Sequence, residues 1–225
     1  MKKRILNIFV IAAFAVASTG CKNEAKNEVE PTEAKEAATD SQASIVFEID
    51  TTQSEIRWKG TKPTGEHIGT IDIQSGTLAA NDSGLVSGTV IIDMNSIAVL
   101  DEDISEEDRS NLENHLKGTV EGKETDFFNV EKFPTATFEI TGMTEKDGQK
   151  YLQGNLTIKE ETKNIEFPVS TEIGEEEITL ESETFTIDRT DWKVNYGSNS
   201  VFDNLGDNYI NDDMELTIEV VAKKA

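Results

Sequence analysis

The 225-residue chain contains one cysteine and two histidines. With Cys21 alone, no disulfide can close within the chain, and a Cys/His pair for nucleophilic catalysis has nothing to draw on. A zinc site built on His67 and His115 would need carboxylates to complete it. Basic residues are also scarce. Lys and Arg number 21 against 44 Asp and Glu, a formal charge of -23. Three of those basic residues and none of the acidic ones fall in the first twenty positions, so a chain without that segment carries 18 against 44, or -26. Such a surface repels the phosphates of nucleic acids and anionic headgroups, which disfavours a DNA- or RNA-binding role, and it keeps the protein soluble. No G-x-S-x-G, Walker A or G-x-G-x-x-G string occurs. The carboxylates are too numerous to single out a glycosidase pair. The acidic clusters Asp101-Glu102-Asp103 and Asp207 to Asp213 lack the alternating oxygens and central glycine of a calcium loop, and read as solvated loops. The residue types point away from an enzyme, and no cofactor or metal is implied.

Long hydrophobic runs are missing too, except at the N-terminus. There MKKR precedes ILNIFVIAAFAVAS, an uncharged stretch of fourteen residues. A spanning helix needs about 20 apolar residues, so this reads as the core of an export signal covering 1–20. Ser18-Thr19-Gly20-Cys21 follows and resembles the lipobox of bacterial lipoproteins, with Ser18 where leucine is usual. The alternative is a plain secretory signal beside an incidental cysteine. Lipidation at Cys21 would explain a lone thiol in an exported protein, and more than one acyl chain makes anchoring stable. The expected location is the bacterial cell envelope, at the outer membrane, on its periplasmic face or on the cell surface. Lys22-Asn23-Glu24 loosely resembles the signals that send some lipoproteins to the surface. Residues 21–44 then form a lipidated cysteine and a flexible acidic tether, because 22–44 hold no aromatic residue and a single valine.

From Ile45 to the end the apolar residues recur with period two. Ile56 and Trp58 form one such row, Ile71 and Ile73 another, then Val90, Ile92 and Met94. Ala136, Phe138 and Ile140 continue the pattern, and Met214, Leu216, Ile218 and Val220 close it. Turn signals such as Asn81-Asp82-Ser83-Gly84 and Lys146-Asp147-Gly148 separate the rows. The apolar phase is even at Ile178 and Leu180 but odd at Phe185 and Ile187, so a bulge is expected near Ser182 to Phe185. At least eight strands result, each with one apolar face. A closed barrel removes the exposed edges of an open sheet, but alternation alone leaves a two-sheet sandwich open. One segment breaks the period. DISEEDRSNLENHLKG, residues 103–118, predicts a short helix with Ser105 as N-cap, acidic residues in the first turn and Gly118 as the stop. It would close one end of a barrel.

The stretch DFFNVEKFPTATFEI, residues 126–140, holds four of the ten phenylalanines. Preceded by His115-Leu116-Lys117, it is similar to the signature of the YceI-like, or polyisoprenoid-binding, family. GNLTIKEETKNIEFPV (154–169), FTIDRTDWKVNYGS (185–198), Trp58-Lys59-Gly60 and Gly65-Glu66-His67-Ile68-Gly69 also agree. The resemblance covers nearly all of 45–222. It departs at GTVEGKET (118–125), which stands between two halves of the signature that are nearly continuous in the family. The resemblance implies an all-β domain over 45–225: an extended, lipocalin-like antiparallel eight-stranded barrel with a short helix at one end. It also implies that the apolar interior takes up an isoprenoid-type lipid or quinone. Trp58, His67, Leu112, His115, Leu116, Phe127, Phe128, Phe133, Phe138, Arg189 and Trp192 are the residues expected to line that interior or its mouth. Adjacent in an extended chain, Phe127 and Phe128 would diverge, one entering the tube and the other packing under the helix. Arg189 would meet an anionic headgroup, or form a structural ion pair. The competing reading is an interaction module whose barrel is filled by its own side chains, its oligomeric state left open.

Overall fold

The computed structural model describes residues 27–39 and 44–225, so the expected signal segment and Cys21 lie outside the described residues. The strands are β1 (Thr32–Glu33), β2 (Ile45–Ile49), β3 (Glu55–Lys62), β4 (Gly65–Ile71), β5 (Ile73–Asn81), β6 (Gly84–Asp93) and β7 (Ala98–Val99). After the helix α1 (Glu106–Lys117) come β8 (Thr135–Lys146), β9 (Gln149–Ile158), β10 (Glu161–Ile173), β11 (Glu177–Ser182), β12 (Phe185–Asp188) and β13 (Asp213–Lys224). All ladders between them are antiparallel. β2 and β3 lie end to end along one side of β13, and β11 and β12 lie end to end along its other side. β4 and β5 likewise act as one bent strand, pairing β3 and β2 respectively. Counting each bent pair once, the circuit runs β13, β2/β3, β4/β5, β6, β8, β9, β10, β11/β12 and back to β13. This is a closed eight-stranded barrel, and the sandwich alternative is excluded by closure.

Side-chain alternation places the core as the sequence pattern requires. Ile56, Trp58, Val90, Ile92, Ala136, Phe138, Ile140, Leu216 and Val220 are all buried. The hairpin β8–β9 turns through Asp147 and Gly148, both at positive φ, with Lys146 opposite Gln149; two such residues suit the twist of a two-residue turn. Where the phase slips, Glu181 pairs with Glu219 but Phe185 pairs with Leu216. Four residues advance on one strand against three on its partner, so a bulge sits at 183–184 as expected. It returns Phe185 to the interior, where its ring stacks on Phe167 at 4.3 Å and 9°. Phe138 packs against Phe167 and over Gly154, where a Cβ would stand 2.1 Å from the ring.

The segment expected to be a flexible tether is the main departure. β11 follows β10 only from Val169 to Ile173, and beyond the bulge β12 pairs β13. The edges of β10 and β12 thus diverge, leaving a seam. Residues 27–33 occupy it. Val29 N–H donates to the Thr186 carbonyl and Thr186 N–H donates to the Asn27 carbonyl, while Thr32 and Glu33 pair with Asn164 and Lys163 of β10. Val29, the single valine of this region, is buried in the core. Further on, the buried Asn155 side chain accepts from Lys35 N–H at 3.0 Å and donates to its carbonyl at 2.7 Å. Composition alone gives this polar stretch no apolar area to order it. Two unpaired backbone edges supply what composition lacks.

Replacing Asn155 by Ala should therefore cost about 1–3 kcal/mol, the range for stranding buried polar partners. Denaturant unfolding checks the cost. Hydrogen exchange should show faster exchange at the Val29 and Thr186 amides than at the β8–β9 ladder.

Candidate functional site

One end of the barrel is not filled by its own side chains. α1, the β3–β4 turn and the segment from Val194 to Met214 enclose a cavity of about 170 Å³. Its walls are mainly apolar: Trp58, Ile71, Ile97, Leu112, Leu116, Phe127, Phe128, Val194, Ile210 and Met214. α1 is built as expected. The Ser105 hydroxyl accepts from Asp108 N–H at 3.1 Å, three acidic residues occupy the first turn, and Gly118 ends the helix in the left-handed conformation. Leu112 and Leu116, one turn apart, line the cavity and are half-buried where they pack against the edge of the core.

The two halves of the family-like signature meet at the C-terminal end of this helix. Phe128 N–H donates to the Leu116 carbonyl at 3.2 Å and Val130 N–H to that of Lys117 at 2.9 Å. The His115 Nε2 lies 2.7 Å from Asp126 Oδ2. The inserted 118–125 loop folds back on itself, with Lys123 N–H bonded to Val120 and Asp126 N–H to Lys123, and leaves those contacts in place. Phe127 presents its ring edge-on to His115 at 5.1 Å and lies 5.2 Å from Tyr196. Phe127 and Phe128 both line the cavity together with Leu112 and Leu116, so the space under the helix and the mouth of the tube are one. The chain bends at Asp126 and Phe127 instead of extending, and neighbouring side chains no longer diverge.

His67, His115 and Arg189 in the wall are committed to the protein. His67 Nδ1 lies 2.5 Å from Asp101 Oδ2, whose other oxygen accepts from Ile68 N–H at 2.8 Å. Asp101 is thus a connector at the mouth and not the solvated loop residue expected from its acidic cluster. Arg189 is buried, and donates to the carbonyls of Asn211, Val194 and Ile210 and, at 3.4 Å, to Asp212. Burial pulls its pKa down from the ordinary value, and Asp212 and Asp188 push it back up; an arginine so placed stays charged. Its donors hold the segment that forms one wall, so the structural ion pair is what the geometry contains, and the headgroup role expected for Arg189 is not supplied by free donors.

Eight of the eleven expected residues line this cavity, and three do not. Phe133 is half-buried on the approach to β8, with the Lys132 ammonium 4.6 Å above its ring. Trp192 is fully buried and its Nε1–H donates to the Leu156 carbonyl at 3.0 Å. Phe138 lies deeper, beside a separate apolar void of about 40 Å³. The two spaces are stacked. Along β13, Met214 lines the cavity, Leu216 lines neither space and Ile218 lines the void. Leu216 and its ladder partner Phe185 thus form a floor between them. Tyr196, Ile71, Ile97 and Met214 are wall residues that pattern reading did not nominate. Ile71 and Met214 stood in period-two rows, whereas Ile97 and Tyr196 come from irregular segments without a periodic signal.

Arg189→Ala should destabilise the protein by roughly 3–5 kcal/mol, as expected for a buried charge network losing one member. Limited proteolysis should then cut within 195–210 before any other segment. Unchanged stability with weakened binding of an anionic ligand would restore the headgroup reading.

The YceI-like domain model matches residues 47–222. The fold is similar to that of BcnA from Burkholderia cenocepacia, with a TM-score of 0.58 at 18% identity, covering 78% of this chain and 99% of that one. It is also similar to a polyisoprenoid binding domain from Saccharophagus degradans implicated in plant cell wall breakdown, with a TM-score of 0.54 at 12% identity, covering 80% and 99% of the two chains. No curated protein sequence matches. Domain match, barrel closure and the joined halves of the signature at α1 agree: the chain belongs to the YceI-like family.

Proposed function

We propose that this protein is a lipid-anchored, non-catalytic binding protein of the bacterial cell envelope, holding an isoprenoid-type lipid or quinone in its barrel. The apolar cavity under α1 carries the reading. Burial of apolar area contributes roughly 25 cal/mol per Å², so a dry wall of Leu, Ile, Phe and Trp retains a hydrocarbon chain without specific polar contacts. His67 and His115 are each paired with a carboxylate, Asp101 and Asp126, and Arg189 with backbone carbonyls; these contacts tie the loops of the wall together, which suits a scaffold around an apolar space. The printed description of the Saccharophagus degradans domain as polyisoprenoid-binding supports the ligand class. Anchoring through Cys21 follows from the export signal and the lipobox-like Ser18-Thr19-Gly20-Cys21, which also favour an outer-membrane location. Residues 1–20 are then the cleaved signal and 45–225 the barrel.

The self-filled barrel is the second reading, favoured by the lower interior, where side chains leave only the small void. The two readings part on organic extraction of the purified protein followed by mass spectrometry. Recovered isoprenoid, or uptake of added isoprenoid, is the expected result; neither would leave the self-filled barrel. Leu112→Asp, on the half-buried helix face, should abolish loading and shift stability by no more than about 1 kcal/mol. Phe138→Asp, in the packed interior, should unfold the domain because an unpaired charge has no partner there.

A further inference from the structure

Among the described residues, eight large hydrophobic ones are exposed, and their distribution is uneven. Five lie at the cavity end: Ile68 (41%), Leu100 (49%), Tyr196 (39%), Val201 (46%) and Phe202 (48%). Ile68 follows His67 on β4, Leu100 is hydrogen-bonded to it through the backbone, and Val201 and Phe202 sit on the loop whose Tyr196 and Ile210 line the cavity. Ile45, Val46 and Ile173 lie at the opposite end of the barrel, at the start of β2 and the end of β10. Exposed apolar residues gathered around an apolar opening mark an interaction surface, and an aromatic ring among aliphatic side chains suits the bilayer interface. The surrounding acidic residues, Glu66, Glu102, Asp103, Asp203 and Asp207, oppose attraction by anionic headgroups, so contact must come from the apolar side chains.

The second observation is the length of the connection to Cys21. A free chain from Cys21 to Ser44 would permit any orientation. The described segment instead joins the barrel at Asn27, whose side chain donates to the Thr184 carbonyl and whose carbonyl accepts from Thr186 N–H. Five residues separate Asn27 from Cys21, and the six steps between them reach at most about 22 Å. Thr186 is two residues from the cavity-side end of β12, so the mouth lies within that reach even though the bridge between Glu28 and Thr186 is parallel and the backbone from Glu28 to Asn27 heads toward β11. The far end of the barrel lies beyond the whole of β11.

We propose that the protein docks mouth-first on a lipid bilayer, with Phe202, Val201, Leu100 and Ile68 entering the interface and the cavity opening toward the membrane. This rests on the reading of Cys21 as the lipidated residue. The docked surface is the route by which an apolar ligand passes between bilayer and cavity without crossing water.

Phe202→Trp and Ile173→Trp place reporters at the two ends, against Trp58 and Trp192, which are buried. The purified proteins are anchored to phosphatidylcholine vesicles containing brominated phosphatidylcholine. Cys21, as the only thiol, is either natively acylated or joined to a maleimide lipid. The added emission of the Phe202→Trp variant should be lost and that of Ile173→Trp retained. Equal quenching at both ends, or none at residue 202, would overturn mouth-first docking. Mass spectrometry of the N-terminal peptide tests native acylation separately, so a missing acyl chain refutes the anchor reading while the maleimide arm still reports the orientation.

Discussion

The structure depends on satisfying the backbone of β13 on both sides. This twelve-residue strand pairs with β2 and β3 on one flank and with β11 and β12 on the other, so it is where the sheet becomes a barrel. Without that closure, two long edges would stand open and the apolar face would have no partner. Closure also creates its own defect. The bulge that keeps Phe185 inside turns β12 away from β10, and the two edges it parts need another strand. The N-terminal segment takes that place through backbone hydrogen bonds, with Val29 its only buried hydrophobic residue.

The cavity follows from the same geometry. At the end where β3, β12 and β13 terminate, no further strand residues fill the centre, and irregular segments roof it. Their placement is fixed by polar contacts more than by packing: Arg189 holds the carbonyls of the 194–211 stretch, Asp101 joins β4 to the start of the helical region, and Asp126 joins the signature to α1. Hydrophobic side chains dominate the wall, while His67, His115 and Arg189 among them direct their hydrogen bonds into the surrounding loops.

Much of this was legible from pattern. The period-two rows gave the strands, the phase change between Leu180 and Phe185 gave the bulge, and Ser105 and Gly118 gave both ends of α1. The signature phenylalanines led to the right end of the barrel. What was not legible depends on contacts distant in sequence. Nothing in KNEAKNEVEPTEAKEAATDSQAS announces a seam between β10 and β12, because the ordering groups are on those strands. Trp192 and Phe138 share the residue type of a ligand wall, but the Leu156 carbonyl and the Phe167 ring claim them. Phe133 is half-buried beneath the Lys132 ammonium. The bend at Asp126 and Phe127 likewise could not be inferred from a stretch that resembles a strand.

The floor made by Leu216 and Phe185 has a consequence for selectivity. An apolar chain entering from the mouth gains burial with each methylene, about 0.8 kcal/mol apiece, only while open depth remains. Below the floor the side chains leave only the small void of about 40 Å³, and forcing further groups into such a core typically costs about 1–3 kcal/mol. Affinity should therefore climb with tail length and then level off, making the barrel a gauge of depth. Tails longer than the gauge would leave their remainder at the rim, and molecules sharing the same terminal segment would be held alike whatever their total length.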